Sequence, residues 1–208
     1  MENILEIAQN VGMLIAGCAI AFVTCKKEIN KYFSKQKTRV TENLPKQSAI
    51  DIKITERMDY IKELLGADII QVYEFHNGEH YADGRSAMKV SCTYETVRAG
   101  IPSIRSKCQQ IPIACIPKFV KRILDDGCYI CEDLENLKDS CPATYEFKKN
   151  NGIKAFVDYA IRNNKGQVIG FVAAVWTSDK KKFNLDQREM EKLAFFVEET
   201  LSCMINND

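Results

Sequence analysis

The chain is poor in histidine, tryptophan and proline, with two, one and five of each among 208 residues, and it carries no surplus of charge. Twenty-nine Lys and Arg against 28 Asp and Glu leave a formal net of +1, which excludes nucleic-acid binding through bulk positive charge. With only two histidines, His76 and His80, a histidine-rich metal centre is excluded, and the glycine-containing turn between them lacks the helical spacing that metal pairs use. No HExxH helix, no glycine-rich phosphate loop with its lysine and no Ser-His-Asp arrangement is legible. Nor is there a disulfide framework. Nine cysteines (18, 25, 92, 108, 115, 128, 131, 141 and 203) are an odd count spread through apolar segments, and most read as reduced, buried thiols. Cys128 and Cys131 have redox or zinc spacing, but on a strand they point to opposite faces. What remains is an ordinary globular composition, 46% apolar and 27% charged, long enough for one domain and an appendage at roughly 150 residues per domain.

The appendage comes first. From Ile7 to Cys25 no residue is charged, and as a helix this run is about 28 Å long, close to the hydrocarbon thickness of a bilayer. Acidic Glu2 and Glu6 precede it and Lys26 and Lys27 follow it, the reverse of a signal peptide's charge order. Residues 1–25 are therefore expected to be a retained membrane anchor contacting lipid. Residues 26–47 form a basic juxtamembrane linker, with seven Lys and Arg against two Glu between Lys26 and Lys46. Positive flanks stay inside, so the expected localisation is the cell membrane, single-pass, with the carboxy-terminal domain cytoplasmic. Ala8, Gly12 and Ala16, spaced by four, permit close approach of two such helices and hence a homodimer.

Residues 48–208 read as an α+β domain, one antiparallel sheet flanked by helices. Ile50, Ile54, Met58, Ile61 and Leu65 form one face of an amphipathic helix closed by Gly66. Asp68 to Phe75 is expected to be a central strand, His76-Asn77-Gly78 a turn and Glu79 to Ala87 a polar loop. In the next strand Met88, Val90, Cys92 and Tyr94 alternate with polar residues and should share one face. Helices near Lys118–Leu124 and Ala143–Lys149 bracket a short strand, Cys128–Cys131. Lys154–Ile161 and Gln167–Thr177 form a hairpin across Arg162-Asn163-Asn164-Lys165-Gly166. Asn184 or Asp186 caps a final helix with Met190, Leu193, Ala194, Val197 and Leu201 as its buried stripe.

The string Gly166-Gln167-Val168-Ile169-Gly170-Phe171-Val172, followed by Phe183 and a terminal amphipathic helix, resembles the end of a GAF domain, a family of small-molecule sensor modules. The resemblance runs from about Ile50 to Ile205. Phe75-His76-Asn77-Gly78 with Ser91, Tyr94 and Glu95 further resembles a group of GAF-like proteins of bacteria and phages that often carry an amino-terminal membrane helix. The resemblance implies a ligand cupped on one face of the sheet beneath the mid-domain helix and loops. It selects no cofactor: the Asn-Lys-Phe-Asp-Glu signature of cyclic-nucleotide-binding members is absent, and nothing singles out Cys108 or Cys115 as a bilin attachment site.

On this reading the candidate ligand-binding residues are Tyr73, Phe75 and His76 on the first strand, Ser91 and Tyr94 on the second, Cys108 and Cys115 between strands, and Asp158 on the hairpin. No residue is assigned to catalysis or to a metal. The expected function is a sensory or regulatory module that binds a small molecule or a protein partner. The alternatives are a structural adaptor with a collapsed pocket and a thiol enzyme acting on methionine sulfoxide.

Overall fold

The structure is a computed structural model that describes residues 22–29, 44–177 and 187–205. It divides into two units, one up to Ala49 and one from Ile50 onward. In the first, residues 22–29 are helical. Most of the expected anchor and basic linker, with the small-residue face at Ala8, Gly12 and Ala16, lies outside the described residues, as does the expected cap at Asn184 or Asp186. Among the described residues no helix is long and apolar enough to cross a membrane.

Helix α1 spans 44–65. Its apolar residues Ile54, Met58, Ile61 and Leu65 recur at helical spacing and are all buried. It ends in a Schellman motif: Gly66, at φ +61°, donates its N–H to the Glu63 carbonyl, and Ala67 donates to Lys62. Asp68 follows, and the chain enters a six-stranded sheet in which every pairing is antiparallel. Its strands are β1 (Ile69–His80), β2 (Ser86–Val97), β3 (Ile111–Pro112), β4 (Cys128–Cys131), β5 (Ala155–Arg162) and β6 (Val168–Trp176), in the order β3-β2-β1-β6-β5-β4.

Each face of the sheet has its own core. On one face α1 and α4 (Gln187–Ile205) cover Ile70, Val72, Val157, Val172, Ala174 and Trp176, with Met190, Leu193, Ala194 and Val197 of α4 buried against them. On the other, α2 (Pro117–Asp126), α3 (Pro142–Asn150) and the loop before α2 cover Tyr73, Phe156, Ala160, Phe171, Ala173 and Val175. Alternation along β5 and β6 feeds both cores, as expected of a central hairpin. Its turn is held by Asn163, whose Oδ1 accepts from Lys165 and Gln167 N–H groups.

Two expectations are corrected. His76-Asn77-Gly78 is strand, not turn; β1 continues to His80, and the reversal lies at 81–85. Gly78 serves close approach there, because a Cβ on it would lie 2.3 Å from the Ala87 carbonyl oxygen. In β2 the alternation breaks. Val72 pairs with Tyr94 but Tyr73 pairs with Cys92, so Thr93 is an extra residue and the strand bulges. Val90 and Cys92 therefore face α2 and α3, whereas Tyr94 packs with the α1 and α4 core.

Candidate functional site

The face under α2 and α3 holds a cavity of about 380 Å³. Its floor is aromatic. Tyr73 of β1 and Phe171 of β6 are direct register partners, and their rings stack with centroids 4.6 Å apart and planes 13° from parallel. Phe119 of α2 meets Phe171 edge-on at 5.3 Å, and Phe75 leans against it at 6.1 Å. Contacts of this kind favour offset and edge geometries because the ring face is electronegative and the edge electropositive. Phe147, Thr144 and Lys148 of α3 and Ile116 and Cys115 before α2 complete much of the wall.

The loop 107–112 closes one side and is held in an unusual conformation. Gln110 has φ +56°, the only non-glycine residue at positive φ among those described. Its N–H donates to Ser91 Oγ at 2.9 Å, and the same oxygen shares a hydrogen bond with His76 Nε2 at 2.9 Å. Gln109 next to it donates from Nε2 to the carbonyls of Cys92 and Arg105. A local conformation of this sort is stored where the surroundings over-determine it.

Behind the floor runs a buried polar chain. Tyr73 OH donates to Gln71 Oε1 at 3.0 Å, and Gln71 Nε2 donates to Glu95 Oε1 at 2.8 Å. Glu95 also accepts from the Ile104 N–H and from Ser103 Oγ. Burial, with smaller contributions from Cys108 and Cys92, pushes the Tyr73 phenol well above its ordinary value, so it stays a neutral donor.

The charged groups near the cavity are unevenly placed. Lys107 and Lys148 line it, and among the described residues no carboxylate does. Asp158 of β5 is fully buried, with Oδ2 at 3.7 Å from Lys148 Nζ, too long for a hydrogen bond. Among the described residues neither of its carboxylate oxygens has a hydrogen-bond partner. Burial raises its pKa to about 6, while the nearby ammonium pulls the other way. Lys148 Nζ also sits 3.8 Å from the centroid of the Phe156 ring.

Of the residues singled out in the sequence, Tyr73 and Cys115 line the cavity. Phe75 packs against its floor, Asp158 lies beneath Lys148, and Cys108 is buried in the adjoining core, 4.0 Å from Gln71 Nε2. Ser91 acts on the cavity through Gln110, and His76 through Ser91. Tyr94 lies on the opposite face, donating to Asp51 Oδ1 of α1 at 2.7 Å. Phe119, Phe147, Phe171 and Lys148 line the cavity but were not among the site candidates read from the sequence. One signal was present for Lys148: Thr144 and Lys148, four apart on a short helix, are polar on the side that also carries buried Tyr145. Among the described residues no cluster of His, Cys, Asp and Glu suits a metal ion.

No protein-family model matches the sequence, and no curated protein matches it. Solved structures match its fold. The photoproduct state of GAF3 from Slr1393 of Synechocystis sp. PCC6803 superposes with a TM-score of 0.56 at 13% identity, covering 76% of this chain and 99% of that one. The GAF domain region of a Geobacter sulfurreducens PCA protein gives 0.57 at 13% identity, covering 78% and 99%. A phycocyanobilin-bound GAF domain from a cyanobacterial phytochrome gives 0.53 at 15% identity, covering 78% and 91%. The chain from about Ile50 onward thus has a GAF-like fold, as the Gly166–Val172 string implied.

Proposed function

We propose that the domain is a non-catalytic sensory module that binds a small, largely apolar ligand between the sheet and α2 and α3. The cavity carries this reading. At about 380 Å³ it falls within the size range of small-molecule sites, and it joins an aromatic floor to a few polar groups on its wall, the usual make-up of such sites. That a domain of the same fold is phycocyanobilin-bound adds support for a small-molecule ligand. In the second part of the reading, the uncharged run Ile7–Cys25 holds the domain at the membrane, with the basic stretch after it on the cytoplasmic side. Ligand occupancy then leaves the module as a change in a homodimer or in contact with a protein partner.

Native mass spectrometry of the full chain extracted in detergent tests the first part. Ala143 of α3 also lines the cavity; a co-purifying small molecule is expected, and it should be lost from Ala143→Trp, which adds bulk to the wall. Retention of the same molecule by that variant would place it elsewhere. For the second part, a membrane-impermeant thiol reagent applied to intact cells should leave exposed Cys115 unmodified. Rapid labelling would put the domain on the outside.

A further inference from the structure

We infer that the cavity is a site for an organic anion, an aromatic or apolar body with one carboxylate-type head group paired to Lys148. This rests on the ligand-binding reading above and adds the chemical class.

An ammonium carries three donors and no acceptor. Lys148 lines the cavity with a side chain only 12% exposed, yet its Nζ makes no hydrogen bond among the described residues. Its nearest charged neighbour, Asp158 Oδ2, stays at 3.7 Å, and the Phe156 ring beneath it offers only the weak attraction of a π face. Asp158 is no better satisfied, since both oxygens are buried without a donor among the described residues. A buried charge pair without hydrogen bonds recovers little of its desolvation cost. One oxyanion entering from the cavity supplies the acceptors that Lys148 lacks.

The remaining polar groups set the sign of the ligand. Lys107, the second cation on the wall, is already bonded to Asn151 Oδ1 at 2.9 Å and adds positive potential. With two cations and, among the described residues, no carboxylate on the lining, a cationic ligand is opposed and an anion attracted. The stacked Tyr73 and Phe171 rings then give the body of the molecule an aromatic surface. Asp158, behind Lys148, competes with the ligand for the same ammonium.

A pair of probes of one shape tests this. The full chain in phosphatidylcholine nanodiscs is titrated calorimetrically with 2-naphthoate and with its neutral isostere 2-naphthamide, and empty nanodiscs are subtracted. A charge-assisted hydrogen bond predicts naphthoate to bind about tenfold tighter or more. Asp158→Asn, which removes the competitor, should tighten naphthoate by several-fold and leave naphthamide unchanged. Lys148→Met should erase the preference. Because that variant strands Asp158, the charge-balanced Lys148→Met/Asp158→Asn double variant repeats the measurement in a fold with no buried charge left unpaired. Equal affinity for the two probes in the wild type, or a naphthoate preference that survives in the double variant, overturns the anion assignment. If both probes bind equally and both are lost in Ala143→Trp, the cavity reading stands without it. If neither probe responds to Ala143→Trp, both readings fall.

Discussion

Gly170 and Tyr73 come closer than any side chain at position 170 would allow. A Cβ on Gly170 would lie 2.1 Å from the Tyr73 carbonyl oxygen and 3.1 Å from its carbon. That approach lets Phe171, the next residue, stack on Tyr73 and make the cavity floor. Gly166, four residues earlier, is glycine for another reason: its φ is +74° and the space around it is open. Asparagine tolerates the left-handed region. Gly166→Asn should therefore cost little, within about 1 kcal/mol, whereas Gly170→Asn should cost about 3 kcal/mol or more through forced separation of β1 and β6. Thermal unfolding of the two variants checks this, and equal losses would refute the distinction.

The bulge at Thr93 turns Tyr94 toward α1, where its hydroxyl meets Asp51 at 2.7 Å. A hydrogen bond to a charged acceptor contributes about 1.5–3 kcal/mol. Tyr94→Phe should lower the melting temperature by several degrees, at about 2–4 °C per kcal/mol for a domain of this size. Naphthoate affinity should not change, since the ring lies across the sheet from the cavity. A loss of affinity with unchanged melting temperature would return Tyr94 to the binding site.

These two strands show what a sequence can and cannot carry. Periodicity made α1, the hairpin of β5 and β6 and the Met190–Val197 part of the α4 stripe legible, because each is a local pattern within one element or across one turn; the expected Leu201 of that stripe has no described burial. The Gly166–Val172 string was legible as a resemblance, and its two glycines prove to do different physical work. The bulge was not legible. It depends on where β1 sits against β2, and a one-residue slip reverses every side chain beyond it. The cavity was half legible for a similar reason. Tyr73 lies on a strand recognisable by itself, but Phe171, Phe119 and Lys148 meet only because β6, α2 and α3 converge over one face. Lys148 in particular looks like any solvated lysine until Asp158 is found beneath it.

Thiol reactivity should follow burial. Cys92, Cys108 and Cys131 are buried, and burial raises all three thiols, Cys131 to about 11. Thiolate is the reactive form. Cys115 is exposed at the cavity wall. With iodoacetamide at pH 8, peptide mass spectrometry should find Cys115 modified long before the other three, which become reactive together on unfolding. Saturating 2-naphthoate should slow Cys115 alone. Fast native modification of Cys92 or Cys108 would instead favour thiol chemistry in this domain.

Asp158 makes stability fall as pH rises. Its pKa is raised from 3.8 to about 6, chiefly by burial, so between these values the unfolded chain has released a proton that the folded chain still holds. Stability drops with pH wherever the native state binds more protons. The contribution is therefore intact below about pH 4, is lost progressively as pH climbs toward 6, and is absent above that. At 1.36 kcal/mol per unit the loss is on the order of 1–3 kcal/mol. Asp158→Asn keeps the shape and removes the titration. The attraction of Lys148 acts only where Asp158 is ionised and is already contained in that net raised pKa, so it needs no separate allowance. The melting temperature of Asp158→Asn relative to wild type should consequently be several degrees higher at pH 7.5 than at pH 4.5, by calorimetry in matched ionic strength. A difference that stays constant across that range would mean that Asp158 titrates in the folded protein as it does in the unfolded chain, and that Lys148 holds it ionised at both values.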